Sequence, residues 1–226
     1  MLYSDTVGGR TLHAEFHYPT DRTTTDISIR ALDMLIAVLA IIVLAPFLIA
    51  VAASIYFADR GSPVFAHQRV GKDGKSFGCL KFRTMAVNSQ QRLDALLERD
   101  PEARAEWARD HKLRNDPRVT PLGRFYRKAS IDELPQLFNV LKGEMSIVGP
   151  RPIVQVERER YGRYFHTYCS VTPGITGIWQ ISGRNDISYQ RRIACDVLYA
   201  RSRSLRLNLR IMVMTIPAVL KSEGSY

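Results

Sequence analysis

Apolar positions dominate one stretch of the chain and alternate with polar ones almost everywhere else. Met34 to Ala58 is 25 residues without a charge, bounded by Arg30 and Asp33 on one side and by Asp59 and Arg60 on the other. As a continuous helix it would be about 37 Å long, enough for a bilayer core of about 30 Å. Pro46 stands at its middle. A proline there removes one backbone hydrogen bond and crowds the carbonyl four residues earlier, which predicts a kink. The halves on either side are each too short to cross alone, the length at which a re-entrant segment competes with a spanning one. Hydropathy by itself favours a single-pass helix that tolerates its proline. Residues 1–29 show neither a helical nor a strand period and are expected to be a mobile tail. The length of that polar stretch, with no convincing small-residue cleavage site after the run, argues against a secretory signal.

Beyond the run the pattern changes to short elements with frequent punctuation. Val64–Arg69 and Phe77–Phe82, joined by Gly71-Lys72-Asp73-Gly74-Lys75, predict a hairpin. Lys81-Phe82-Arg83 alternates there and would place both cations on one strand face, the arrangement of an edge strand or of a phosphate site. Asn88 or Ser89 opens a helix to Arg99, and Asp100-Pro101 opens another to about Arg109, Asp as cap and Pro at the first helical position. Asp116-Pro117 and Pro121-Leu122-Gly123 predict a loop. A helix over about Asp132–Leu141, ended by Gly143, then a strand over Met145–Val148, helix over Val154–Phe165 and helix over Ile187–Arg201 follow. Leu205–Leu220, interrupted by Pro217, suits a core helix or one lying in a membrane interface.

Charge sharpens this division. The chain of 226 residues carries a formal +10, but residues 1–58 hold 3 basic and 5 acidic side chains while residues 59–226 hold 29 and 17. All the excess positive charge therefore lies after the apolar run. Lys and Arg near the run place the basic part on the cytoplasmic side without placing the N-terminus. A charged fraction of 24% with 46% hydrophobic residues excludes a disordered chain. Cys79, Cys169 and Cys195 cannot pair completely and form no C-x-x-C, so a disulfide scaffold or zinc ribbon is excluded as the default. The basic residues are interspersed with acidic ones, which argues against nucleic acid as a partner. No Walker A, G-x-G-x-x-G, H-E-x-x-H, G-x-S-x-G or D-x-D motif occurs, and His13, His17, His67, His111 and His166 have no metal spacing.

Two clusters are candidates for chemistry. In the first, Arg124, Arg127 and Lys128 lead to Ser130-Ile131-Asp132-Glu133. S-x-x-E is a capping box, and acids in a first turn complement the helix dipole. The same carboxylates, near three cations and helix N–H groups, would also stay ionised and free to attack phosphorus or bind a divalent metal. Adjacent helical side chains point about 100° apart, so one carboxylate can face a phosphate while the other holds an ion. In the second cluster, Gly149-Pro150-Arg151-Pro152, two prolines restrict the backbone around Arg151. Such a segment is either an ordinary turn with a solvated arginine or a guanidinium aimed at phosphate.

Together these segments resemble the bacterial sugar transferase family, the monotopic polyprenyl-phosphate phosphoglycosyl transferases, in their short exopolysaccharide-initiating form. The resemblance rests on G-S-P-V-F at 61–65 with Gln68-Arg69 and Gly71, on Lys81-Phe82-Arg83-Thr84-Met85, and on Asp116 through Arg124. It continues through Asp132-Glu133-Leu134-Pro135-Gln136, Gly149-Pro150-Arg151-Pro152, Thr172 through Gly177, Trp179-Gln180 and Ser182-Gly183-Arg184, in order from about Arg30 to Leu220. The resemblance implies an α+β, mainly helical fold. Its parts would be a tail (1–29), a membrane helix (30–58) broken at Pro46 that enters and leaves one leaflet, and a compact cytoplasmic domain (59–226) with a small hairpin and interfacial amphipathic helices. Against hydropathy, it favours the re-entrant helix, with Arg30 and Asp33 at its polar start.

The implied activity is transfer of a hexose 1-phosphate from a UDP-sugar, UDP-galactose or UDP-glucose first, to polyprenyl (undecaprenyl) phosphate with release of UMP. The implied setting is the bacterial inner membrane at the first membrane step of exopolysaccharide synthesis. Asp132 would be the nucleophile of a phosphosugar-aspartyl intermediate, Glu133 a ligand of Mg²⁺, and Arg151 a phosphate clamp. Lys81, Arg83, Arg124, Arg127 and Arg184 would be further anion contacts. Membrane lipids are an expected partner, with downstream glycosyltransferases and a second copy of the chain as further partners to test. The chain departs from the family's common pattern at Ala45, where some members have serine, and at Asn208, commonly acidic. The competing class is a non-catalytic membrane-tethered scaffold whose basic domain binds anionic lipids or partner proteins.

Overall fold

The computed structural model describes residues 22–110, 113, 115–182 and 188–220. It is mainly helical, with two small two-stranded sheets, as an α+β reading expects. The first helix, α1 (Arg22–Asp59), carries Pro46 inside it and starts eight residues before the expected membrane helix. The tail reading is therefore corrected for 22–29. These residues join the helix because Ile29 is buried and Arg203 Nε and Nη2 donate to the Asp26 carboxylate at 2.9 and 2.7 Å, contacts that a local period does not reveal. Residues 1–21 lie outside the described residues. α1 is long and apolar enough to cross a membrane, and the protein covers little of its most apolar stretch.

Both ends of the apolar run are tied to the same body. Near the start, Arg30 Nη1 and Nη2 donate to the carbonyls of Val140 and Leu141 at 2.6 and 3.0 Å, and Asp33 Oδ1 accepts from the Ile147 amide at 2.9 Å. At the far end, Arg83 donates to both Asp59 carboxylate oxygens at 2.6 and 2.5 Å. Between them, Ala37 packs with Phe77, Cys79 and Val140, and Leu48, Val51 and Ile55 pack with Phe82 and Tyr126. The opposite face, including Leu39, Val43 and Ile49, is exposed.

The hairpin expected around 64–82 is present as β1 (Val64–Val70) and β2 (Ser76–Phe82), antiparallel, with His67 opposite Cys79 and Phe65 opposite Lys81. Helices α2 (Ser89–Arg99) and α3 (Pro101–Asp110) follow as expected, and Asp100 Oδ1 caps α3 by accepting from the amides of Glu102 and Ala103. The expected loop at 121–123 is corrected. Thr120 Oγ1 accepts from the Gly123 amide at 2.9 Å and Pro121 takes the first helical position, so these residues open α4 (Pro121–Lys128).

The expected helix over 132–141 is shorter and is preceded by a separate turn. Ile131–Glu133 form one turn of 3₁₀ helix, and α5 (Gln136–Lys142) starts after Pro135 and ends at Gly143, whose φ of 83° suits glycine. Asn139 fixes α5 to β2. It is fully buried, its Oδ1 accepting from the Leu80 amide at 2.9 Å and its Nδ2 donating to the Gly78 carbonyl at 2.8 Å. β3 (Ser146–Val148) pairs in parallel with β4 (Gly174–Thr176), a strand the pattern did not mark. Gly149 and Gly174 touch backbone to backbone, leaving no room for a Cβ at either.

The segment expected as one helix over 154–165 is a series of short turns. Among them are α6 (Arg158–Tyr161), ended by Gly162 with φ 46°, and α7 (Phe165–Cys169). After β4 come α8 (Ile178–Ile181), α9 (Tyr189–Ser202) and α10 (Leu205–Leu220). α10 packs into the core on one side and is open on the other. Ile211 and Asn208 are buried on one side, and Leu205, Leu209, Val213 and Ile216 form an exposed apolar stripe. Asn208 Oδ1 lies 3.0 Å from the buried Tyr199 hydroxyl, so the neutral residue has a neutral partner.

Candidate active site

The turn bearing Asp132 and Glu133 is not a capping box. Ser130 has φ 57° and ψ 20°, and its side chain makes no capping bond, so Glu133 is not drawn back to cap a helix. Instead Glu133 Oε1 accepts from Lys81 Nζ at 2.7 Å, and Asp132 Oδ2 lies 3.9 Å from the same ammonium. The buried Asn139 bonds bring this about, because they lock α5 against Leu80, the residue before Lys81. Burial pushes the Asp132 carboxyl up to about 6. The Lys81 ammonium opposes that shift, the Glu133 charge adds to it, and Arg127 again opposes it.

The other cations anticipated from the motifs separate into two groups. Arg127 is half-buried, its Nε donates to Thr84 Oγ1 at 2.9 Å, and its charge reaches Asp132. Arg83 is not beside the carboxylate pair as alternation with Lys81 implied. β2 ends at Phe82, and beyond it the Arg83 fork turns to Asp59 while Nε donates to the Ser62 carbonyl at 2.7 Å. Arg124 is exposed on α4, and Arg184 lies outside the described residues. Arg151 is half-buried after β3, its guanidinium 5.4 Å from the centroid of the Trp179 ring.

Several residues were missed. Period-two alternation puts His67 and Arg69 on the Lys81 face of the hairpin, a signal present in the sequence once the register is known. Arg69 Nη2 donates to His67 Nδ1 at 3.3 Å. Burial, then Arg69 and Lys81, lower the imidazole's pKa and favour its neutral form. Cys79, buried between them, feels the charges of Lys81, Arg69, Glu133 and Arg151, which groups the two motif clusters around one hairpin face. Arg192 and Asp196, four apart on α9, close the far side. Arg192 lies 5.3 Å from the Trp179 centroid and 3.7 Å from the Glu157 carboxylate. Their spacing puts them on one helix face, but nothing in it pointed to Arg151.

The arrangement offers two adjacent carboxylates, a lysine shared between them and arginines disposed around. Among the described residues no three His, Cys, Asp or Glu side chains converge as a metal cage. Magnesium does not require one, since it typically takes one or two carboxylates and completes its shell with water and substrate phosphate. Glu133, with hard oxygens and a 30% exposed side chain, fits that role, and the Lys81 ammonium stands at the position a cation would favour.

A family model described as bacterial sugar transferase matches residues 24–222. The chain is 50% identical over 200 residues to "Exopolysaccharide production protein ExoY" of Sinorhizobium fredii, covering 88% of each. It is 49% identical to "UDP-galactose-lipid carrier transferase" of Erwinia amylovora and 48% identical to "Undecaprenyl-phosphate galactose phosphotransferase" of Salmonella typhimurium. In both of those comparisons 87% of this chain is matched, and it spans 41% of the relative's length.

Proposed function

The chain belongs to the bacterial sugar transferase family, and from that premise we propose that it transfers a hexose 1-phosphate from a UDP-sugar to undecaprenyl phosphate, releasing UMP. The observation that carries this reading is the Asp132–Glu133 turn set against Lys81. A carboxylate whose buried surroundings raise its pKa to about 6 is still largely ionised at neutral pH, and is poorly solvated for a carboxylate. Asp132 Oδ attacks the phosphorus that bears the sugar, and the bond to the UMP oxygen breaks with its electron pair leaving on UMP. An oxygen of the lipid phosphate then attacks the same phosphorus and expels Asp132, giving undecaprenyl-diphosphate-hexose. Lys81 and Arg127 hold the carboxylate in place and neutralise charge, and Arg151 grips phosphate, the kind of positioning on which phosphoryl transfer depends. Mg²⁺, held by Glu133, would neutralise charge on the diphosphate as the bond breaks.

The names of the Erwinia and Salmonella relatives favour galactose over glucose as the hexose, and the ExoY name favours a role in exopolysaccharide synthesis. UMP release measured across UDP-galactose, UDP-glucose and other UDP-sugars, with and without Mg²⁺, tests both activity and choice. Absence of turnover with all of them, alongside salt-dependent vesicle binding, would favour the scaffold reading.

A re-entrant α1, with the domain on the cytoplasmic face of the inner membrane, agrees with the anchoring of both ends of the apolar run. A helix that spanned would carry one end about 30 Å from a domain on the other side. Here Arg30 and Asp33 bond to α5 and β3, and Asp59 bonds to Arg83. The exposed apolar faces of α1 and α10 then provide the surface that enters lipid.

A further inference from the structure

Arg151 and Trp179 are delivered to each other by the β3–β4 pair. Val148 lies opposite Thr176 in the parallel register, and Arg151 and Trp179 each stand three residues further along their own strands' continuations. Pro150 and Pro152 fix the backbone on both sides of Arg151, and the Gly149 amide donates to the Thr176 carbonyl at 2.8 Å. The far end of the side chain is held differently. Among the described residues the Arg151 guanidinium makes no hydrogen bond and no ion pair, and its contact is the Trp179 ring, whose centroid lies 5.4 Å from Cζ. Arg192 stands over the same ring at 5.3 Å but has two further partners, the Tyr189 ring at 5.2 Å and the Glu157 carboxylate at 3.7 Å. Trp179 itself is 6% exposed, and its buried Nε1 has no hydrogen-bond partner among the described residues. A buried indole N–H normally finds an acceptor, and leaving it unpaired costs stability that a phenylalanine or leucine would not incur. What tryptophan supplies in return is the ring face that attracts cations best.

We propose that Trp179 is a positioning residue for Arg151, holding the guanidinium by its π face so that the N–H groups stay free for a substrate phosphate. The proposal rests on the reading of Arg151 as a phosphate contact. A carboxylate in the ring's place would occupy the fork and cancel its charge, whereas an aromatic face orders the side chain and leaves both charge and donors to the ligand. The phosphate is that of the UDP-sugar or of the polyprenyl phosphate, which present the same chemistry to a guanidinium.

Truncating a buried tryptophan risks the fold, so the test keeps its shape. Tryptophans of increasing ring fluorination, placed at position 179 by nonsense suppression, weaken the attraction for a cation while preserving the ring's packing. Each full-length protein is assayed for UMP release with radiolabelled UDP-sugar, so that slow variants are read, over ranges of UDP-sugar and of undecaprenyl phosphate, with a thermal melt of each. KM for one substrate should rise in step with fluorination, reaching about 3-fold or more, with kcat and the melt little changed. The substrate whose KM moves is the one whose phosphate Arg151 holds. On the Arg151→Ala background full fluorination should change kcat/KM by less than about 1.5-fold, because the group the ring positions is gone. Unchanged KM for both substrates across the series, or an effect that persists in full with Arg151→Ala, overturns the proposal while leaving Arg151's own role intact. Normal kinetics in Arg151→Ala with tryptophan at 179 would instead overturn the phosphate reading and this proposal with it.

Discussion

Removing the proposed nucleophile should make the protein more stable. The Asp132 carboxyl is raised from 3.8 to about 6 by burial, so the folded state binds its proton more tightly than the unfolded chain does. The sign follows from linkage: stability falls as pH rises from about 4 to about 6, and the penalty is fully present above that window. A shift of about two units corresponds to an upper figure of about 3 kcal/mol. Asp132→Asn removes the charge and keeps the shape. Lys81 retains its 2.7 Å bond to Glu133, so no ammonium is left unpaired. For a chain of this size, about 2 kcal/mol of recovered stability raises Tm by about 4–8 °C. Thermal denaturation in detergent with EDTA, from pH 4 to pH 8, measures it. The gain should be largest above pH 6.5 and vanish towards pH 4. An Asn variant no more stable at pH 7.5, or a gain independent of pH, would refute the electrostatic reasoning.

Three other outcomes follow from the same geometry. Arg30→Ala removes the guanidinium donors of the Val140 and Leu141 carbonyls, of which Val140 keeps the Gly143 amide, and should destabilise by about 1–3 kcal/mol, read as a lower melting temperature or urea midpoint. Gly123→Ala would drive a Cβ into the Thr84 carbonyl; a loss of about 3 kcal/mol or more is expected, and a wild-type melt would show that the α4–Thr84 contact is looser than described. For topology, a cysteine introduced before Arg30 should resist membrane-impermeant thiol reagent in intact cells, and external labelling would favour a spanning α1.

What was legible in the sequence was whatever local rules determine. The hairpin followed from alternation around a glycine-bearing turn, α3 from Asp100-Pro101, and the end of α5 from Gly143. Where tertiary contacts decide, local rules misled. Ser130-x-x-Glu133 satisfies the capping pattern, yet Ser130 is left-handed and Glu133 goes to Lys81, because Asn139 clamps α5 to β2. Arg83 shares the parity of Lys81, but the strand ends between them and Asp59 claims it. Residues 22–29 lack a period because a salt bridge to Arg203 and one buried isoleucine secure them. The candidate site divides in the same way. Asp132, Glu133 and Arg151 stand out by local chemistry; Arg69 and Trp179 stand in matched segments that gave them no role, and Arg192 reaches the Trp179 ring only through the packing of α8 and α9.

The central claim is that Asp132 accepts the sugar phosphate covalently. Purified protein incubated with Mg²⁺ and its UDP-sugar, without lipid phosphate, should release at most one UMP per chain. Intact-mass and peptide analysis should then show one added hexose phosphate on Asp132, removed when undecaprenyl phosphate is supplied and missing from Asp132→Asn. Multiple-turnover product formation by Asp132→Asn, or an adduct mapped to another residue, would contradict the account.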